Sequence, residues 1–181
     1  MSAAESIELP PWAEVSGSRR QHIERVTSLL LKWARALRLE SETAAMWRDA
    51  GLWHDGLRNA DEQTLRTLTS DEVLPAELLH GPAVAKKLEL AGERRAELLD
   101  AIRWHTVGHA TWGQTGRALY MADFLEPGRK FARADRHFLA EHVVHDFDGV
   151  FRQVVRQRIE WAVREGHGIY PETVELWNSV R

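Results

Sequence analysis

Apolar residues recur at three- and four-residue intervals along most of this chain, and strict alternation is missing. Ile23, Val26, Leu30, Trp33 and Leu37 form one stripe, which predicts an amphipathic helix over residues 19–39. Ser18 followed by Gln21 reads as a capping box at its start, a pairing that satisfies free amides. Ser41 is expected to cap a second helix carrying Ala44, Ala45, Trp47, Leu52 and Trp53. Thr64–Leu68 reads as a short helix or turn. Pro75 suits the first turn of a short helix with Leu78, Leu79 and His80. Another helix is predicted over Pro82–Leu90, with Gly92 as its stop. Residues 93–105 place Leu98, Leu99, Ile102 and Trp104 on a helix. Beyond the loop VGHATWGQTG, helices are expected over 116–126, 133–147 and 148–166, with a last short one in IYPETVELWNSVR. Pro10-Pro11 and Gly17 interrupt the pattern, so residues 1–17 are expected to be an N-terminal tail and 18–181 one domain. There is no Asn-Gly hairpin signal, no repeat and no low-complexity segment. The fold class is all-α, a single helical domain.

Composition narrows the chemistry. The chain has 181 residues, enough to bury a core without staples, and no cysteine. Disulfides, thiolate metal sites and cysteine nucleophiles are thereby excluded, and a reducing compartment fits. A net charge of −3 argues against long nucleic acid as a partner, since neutralising many phosphates calls for a basic surface. The opening MSAAESIELPPWAE lacks a basic region followed by an apolar block. No apolar run approaches the ~20 residues of a membrane span. A cytoplasmic protein with no membrane partner is expected.

The stretch AAMWRDAGLWHDG, residues 44–56, sets His54 beside Asp55 where an apolar helix ends. A His-Asp pair alone is most simply a helix terminus. The other polar residues on apolar surfaces change that reading: His22 inside the first stripe, His80 before Gly81-Pro82, His105 closing the 93–105 helix, and Asp123 within ALYMADFLEP. Burying six ionisable groups without partners would cost several kcal/mol apiece. A metal centre satisfies them together. Imidazole and carboxylate donors without thiolate suit Fe, Mn, Zn, Ni or Co. Four histidines and two aspartates exceed what one ion with an open position needs. They suit two divalent ions sharing a carboxylate, and Asp55 is the natural bridge. Two such ions ~3.5–4 Å apart can hold a hydroxide and polarise a phosphoryl oxygen.

In this order (His, His-Asp, His, His, Asp) on a helical scaffold, the chain resembles the HD-domain phosphohydrolase superfamily, and within it the YqeK-type symmetrical bis(5'-nucleosyl)-tetraphosphatases. The residues that carry the resemblance are HIERV at 22–26, GLWHDGLR at 51–58, LLHGPAVAKKL at 78–88, LLDAIRWHTVGH at 98–109 and ALYMADFLEPGR at 118–129. The resemblance implies a single HD-domain helical bundle that splits diadenosine tetraphosphate into two ADP at a dinuclear centre, often of iron. It implies His22, His54, Asp55 and Asp123 around one metal, with Asp55 bridging to a second held by His80 and His105. A hydroxide between the metals would attack an inner phosphorus, with Asp55 and Arg58 as the catalytic residues. Relatives usually carry a lysine where this chain has Arg58, so the charge is kept but a proton-donor role is not. Arg58, Thr106, His109 and Arg129 are the implied substrate contacts. The nucleotide is expected to be the only partner of a monomer or homodimer.

Trp53, Trp104 or Trp112 are candidates to stack on an adenine, Trp112 foremost because it lies in a polar loop; core packing is the plain reading for most of the eight tryptophans. His142 and His145, with Asp146 and Asp148, mimic a metal site but read more simply as a helix surface. Glu126 reads either as a partner of a ligand histidine or as a helix end. Three rival functions remain at this point: an HD-type phosphohydrolase of another nucleotide (a mono- or triphosphate, or a cyclic dinucleotide), a non-catalytic nucleotide-binding module, and a purely structural bundle. The last leaves the buried ionisable groups unexplained.

Overall fold

The computed structural model of the chain describes residues 8–181; residues 1–7, part of the expected tail, lie outside the described residues. Among the described residues there is no strand, as the absence of alternation predicted. The helices are α1 (Gly17–Ala36), α2 (Ser41–Trp53), α3 (Glu62–Thr69), α4 (His80–Leu90), α5 (Ala96–Trp104), α6 (Gln114–Leu125), α7 (Arg133–His142), α8 (Phe147–Arg164) and α9 (Pro171–Val180), with a 3-10 turn at Ala76–Leu78. No described helix is long and apolar enough to cross a membrane.

Several ends differ from the periodicity reading, each for a local reason. The cap of α1 is Ser16, not Ser18: its hydroxyl accepts the Arg19 amide at 3.2 Å. Backbone pairing of Glu14 with Gly56 (2.8 Å) and Asn59 (3.0 Å), and the Ser16 amide on Asn59 Oδ1 (2.9 Å), fix Ser16 in that place. Residues 8–16 therefore lie against the turn after α2; Leu9 is buried and Trp12 packs on the core. At its other end α1 stops at Ala36, because Arg38 turns left-handed (φ 54°) and the Leu39 amide folds back onto Ala34 O (3.0 Å). Glu93 accepts the amides of Arg94 and Arg95 (2.9 Å each), which delays α5 to Ala96. Asp146 takes the N-cap of α8, accepting from Gly149 at 3.0 Å, and so separates α7 from α8 at His142.

Helix α6 is the axis of the bundle. Nine of its twelve residues are buried, including the whole run Ala118–Asp123, so it is apolar on nearly every side. It packs against α1, α2, α5, α7 and α8. Trp33, Trp47, Tyr120 and Phe151 are the largest fully buried side chains around it. Burying a side chain of this class contributes about 1.5–3 kcal/mol.

Two glycines allow helices to approach where the site is built. A Cβ on Gly51 would lie 3.0 Å from Thr27 Cα, so α1 and α2 touch there backbone to backbone. A Cβ on Gly81 would lie 2.8 Å from Ile102 O and 3.0 Å from Arg103 O, which seats the start of α4 on the end of α5. The helix runs through Gly81-Pro82 from His80 rather than starting at Pro82, because proline is tolerated in a first turn. Gly81→Ala is accordingly expected to cost about 1–3 kcal/mol in urea unfolding of the metal-free protein. Gly17→Ala, with nothing within 4 Å of the added carbon, should change the unfolding free energy by no more than ~0.5 kcal/mol.

Candidate metal centre

Five helices deliver the six polar residues to one volume. His22 comes from the second turn of α1, His54 and Asp55 from the end of α2, His80 from the first residue of α4, His105 from the cap of α5, and Asp123 from the last turn of α6. All are buried, Asp123 the least so at 9% exposure.

Asp55 stands in the middle, and its two oxygens face different neighbours. Oδ2 lies 3.7 Å from His22 Nε2 and 3.5 Å from His54 Nε2. Oδ1 lies 3.1 Å from His80 Nε2 and 3.4 Å from His105 Nε2. His22 Nε2 is also 3.1 Å from Asp123 Oδ1, and the Nε2 atoms of His80 and His105 are 3.1 Å apart. Ligand atoms of His22, His54 and Asp123 lie within 4.8 Å of one another, as do those of His54, Asp55 and His105.

The backbone sets the imidazole orientations. His54 Nδ1 donates to Gly51 O (2.8 Å), His80 Nδ1 to Glu77 O (2.9 Å) and His105 Nδ1 to Ile102 O (2.7 Å). Each uses the backbone carbonyl three residues earlier in the chain. His22 Nδ1 donates instead to Glu126 Oε1 (3.2 Å). For His54, His80 and His105 the carbonyl can only accept, so a proton sits on Nδ1 and Nε2 faces inward. Glu126 is thus the partner of a candidate ligand, buried and held in turn by Arg25 Nε (2.5 Å) and the Gly128 amide (2.6 Å).

Inward-facing lone pairs and carboxylates need a positive charge between them. Arg19 reaches Asp55 Oδ2 at 2.6 Å and Arg129 reaches Asp123 Oδ1 at 2.7 Å. His22 Nε2 and His54 Nε2 are buried without a hydrogen-bond partner among the described residues. Orphaned imidazole nitrogens beside two carboxylates fit divalent cations of borderline hardness.

Proton equilibria follow the same geometry. Burial, helped by the neighbouring His105 and His22, lowers His54 to about 4 despite Asp55 and Asp123. Burial also lowers His80. For His22 burial acts downward, but the carboxylates of Asp123, Glu126 and Asp55 around it raise it to about 9. Asp55 and Asp123 would be raised by burial; the surrounding histidines, and for Asp123 Arg129 and Arg158, hold both well below the usual carboxylate range.

Asp55, His80, His105 and Asp123 line a cavity of about 810 Å³, with His22 and His54 behind its wall. Arg58, Thr106 and Arg129 lie on its wall as expected. Arg58 has no ion pair or hydrogen bond from its guanidinium among the described residues, whereas Arg129 is engaged with Asp123. His109 is not brought to this cavity: its ring stacks on Trp104 at 5.4 Å and its Nδ1 accepts from Thr111 at 3.1 Å. Trp112 is buried, its Nε1 donating to Asp100 O at 3.2 Å, because the loop that carries it folds onto α5 and α6. Trp53 and Trp104 also lie off the cavity wall. The wall instead carries residues that periodicity did not flag. Arg19 precedes His22 by three, a helical spacing that could have suggested it. Arg158, Trp161 and Tyr170 had no such signal. His142 stacks on Phe138 at 3.8 Å, in keeping with a plain surface pair.

No protein-family model matches the chain. Symmetrical bis(5'-nucleosyl)-tetraphosphatases of Halalkalibacterium halodurans and Bacillus subtilis are each 25% identical to it, over 90% and 91% of this chain and 88% and 90% of theirs. The Staphylococcus aureus protein of the same name is 26% identical over 57% of this chain and 54% of its own. The crystal structure of a predicted HD superfamily hydrolase involved in NAD metabolism from Clostridium acetobutylicum has the same fold, with a TM-score of 0.78 and 23% identity over 92% of this chain and 90% of that one. The resemblance carried by the His-Asp motifs, and the all-α HD-type fold it implied, are both borne out by these similarities.

With metal removed by chelation, the two shifted histidines should shape stability against pH. The raised His22 stabilises fully below its unfolded value of 6.5, and loses that contribution as pH rises through about 9. The lowered His54 must stay neutral, so its contribution falls away as pH drops from 6.5 towards 4. Thermal unfolding of the chelated protein should therefore be most resistant near pH 6.5, and His22→Asn should flatten the alkaline side of that curve.

Proposed function

We propose that the chain is a metal-dependent hydrolase of dinucleoside polyphosphates that splits diadenosine tetraphosphate symmetrically into two ADP. One observation carries the reading: the two oxygens of buried Asp55 face two separate pairs of inward-facing imidazole Nε2 atoms. His22, His54, Asp123 and Asp55 Oδ2 would hold one divalent ion, and His80, His105 and Asp55 Oδ1 a second. Iron is the expected metal, with manganese, cobalt, nickel and zinc compatible with the same donors. When bound, the pair supplies Lewis-acid activation of water and neutralises charge on phosphoryl oxygens.

The chain's own residues do the rest. Arg19 and Arg129 screen the two aspartates and keep both ionised, ready to bind cations. Arg58 is available to a polyphosphate, and a guanidinium pairs with phosphate oxygens through two parallel N–H groups. It neutralises negative charge that builds on the departing nucleotide. The Thr106 hydroxyl, 3.3 Å from His105 Nε2, faces the same space and is the second substrate contact. Water adds across one P–O–P link, so that the tetraphosphate yields two diphosphates with no other co-reactant. The named activity of the three relatives supports this substrate over the alternatives of another nucleotide or simple nucleotide binding.

Protein purified without chelator or polyhistidine tag should carry about two transition-metal ions per chain and convert diadenosine tetraphosphate to ADP alone. ATP plus AMP would place the cleaved link elsewhere, and bound metal without turnover would point to a different nucleotide. Asp55→Ala should lose metal and reduce turnover more than about a hundredfold with an unchanged far-ultraviolet dichroism spectrum. Arg58→Ala should lower kcat/KM by roughly 10- to 100-fold while Arg58→Lys keeps most of it; equal rates in all three proteins would remove Arg58 from the site.

A further inference from the structure

The metal centre does not account for the far wall of the cavity. Arg158 on α8 marks where the polar end stops: it lies 3.5 Å from Asp123 Oδ2, donates to Thr106 O at 3.1 Å and covers the Tyr120 ring at 4.0 Å. Three residues on, on the same helix face, Trp161 lines the same cavity. That step is about 4.5 Å along the axis. Trp161 is 42% exposed and is not part of the packed core.

The end of α8 is shaped to set a second ring beside it. Gly166 takes φ +74°, a left-handed turn open to glycine, and the His167 amide reaches back to Ala162 O at 2.8 Å. The His167 ring thereby lies 5.1 Å from the Trp161 ring, with 36° between their planes. Ile169, 39% exposed, and Tyr170 continue the wall up to Pro171, the first residue of α9. A half-exposed indole and isoleucine on a concave wall, one helical turn from an arginine, form apolar surface suited to a planar ring that carries phosphate.

We infer that the α8–α9 corner is a nucleobase subsite, in which the Trp161 indole, flanked by His167, stacks on the base of one nucleotide end while its phosphates run past Arg158 towards Arg58. The inference rests on the phosphohydrolase reading for its ligand. It gives the C-terminal helices a role in binding beyond packing. Stacking on an aromatic side chain is tolerant of base identity, because every base presents a π-face.

Calorimetric titration of the metal-loaded protein with ADP and with inorganic pyrophosphate, which lacks the base, separates the subsite from the phosphate contacts. Trp161→Ala should weaken ADP between roughly fivefold and a hundredfold and leave pyrophosphate within about twofold. Trp161→Phe should retain most of the ADP affinity. Equal weakening of both ligands, unchanged ADP affinity, or a change in oligomeric state alone would overturn the subsite. If Trp161→Ala binds ADP normally while the unmodified protein cleaves diadenosine tetraphosphate, the subsite falls and the hydrolase reading stands. If ADP binding depends on Trp161 but no dinucleotide is cleaved, the subsite stands and the hydrolase reading falls.

Discussion

Asp55 shares one buried volume with four imidazoles and a second carboxylate, and taking so many ionisable groups out of water is the constraint the rest of the structure answers. Imidazole nitrogens and carboxylate oxygens stand 3.1–3.7 Å from one another there, an arrangement that cations among them would satisfy. Much of the architecture holds the cluster in place. The start of α1 is pinned by Ser16, Asn59 and Glu14 to the turn after α2, which keeps His22 across from Asp55. Gly51 and Gly81 bring paired helices into backbone contact just behind the candidate ligand residues. Three of the histidines donate from Nδ1 to the backbone carbonyl three residues earlier, so one hydrogen bond fixes both ring orientation and tautomer.

Around this pole the cavity changes character in steps. Arg19, Arg129 and Arg158 are committed to the aspartates, and Arg58 is not. A paired guanidinium is part of the scaffold's charge balance; an unpaired one is free to meet an incoming anion. Beyond the arginines the wall turns aromatic and apolar at the corner of α8 and α9. A graded surface of this kind matches a ligand that is anionic at one end and a flat ring at the other. Arg136 illustrates the opposite case: it is almost fully buried, and its guanidinium is used up on the carbonyls of Phe124 and Glu126, so it braces the loop after α6 and reaches no ligand.

The helical class, the order of the helices and the six polar residues of the centre were legible in the sequence. Helix periodicity is a local property of the chain, and an ionisable side chain on an apolar stripe is conspicuous because its burial is costly. Helix ends were less legible. Ser16 outcompetes Ser18, and Arg38 turns left-handed, because of backbone pairings to residues near in space and set by packing. Trp112 was misread for a related reason: a polar loop does not expose its tryptophan when the loop folds onto α5 and α6.

By itself the sequence determined which imidazoles and carboxylates the candidate centre offers and what class of metal such groups prefer, since ligand softness belongs to the residue type. Tertiary structure decided how they are shared. It aimed Asp55 Oδ1 at His80 and His105 and Oδ2 at His22 and His54, directed His109 onto Trp104, and brought Arg19, Arg158 and Trp161 to a cavity from opposite ends of the chain. The reason is geometric. Side-chain chemistry is carried residue by residue, but which atoms of distant residues meet depends on how close two helices can approach, and that is settled by the packing of the whole bundle.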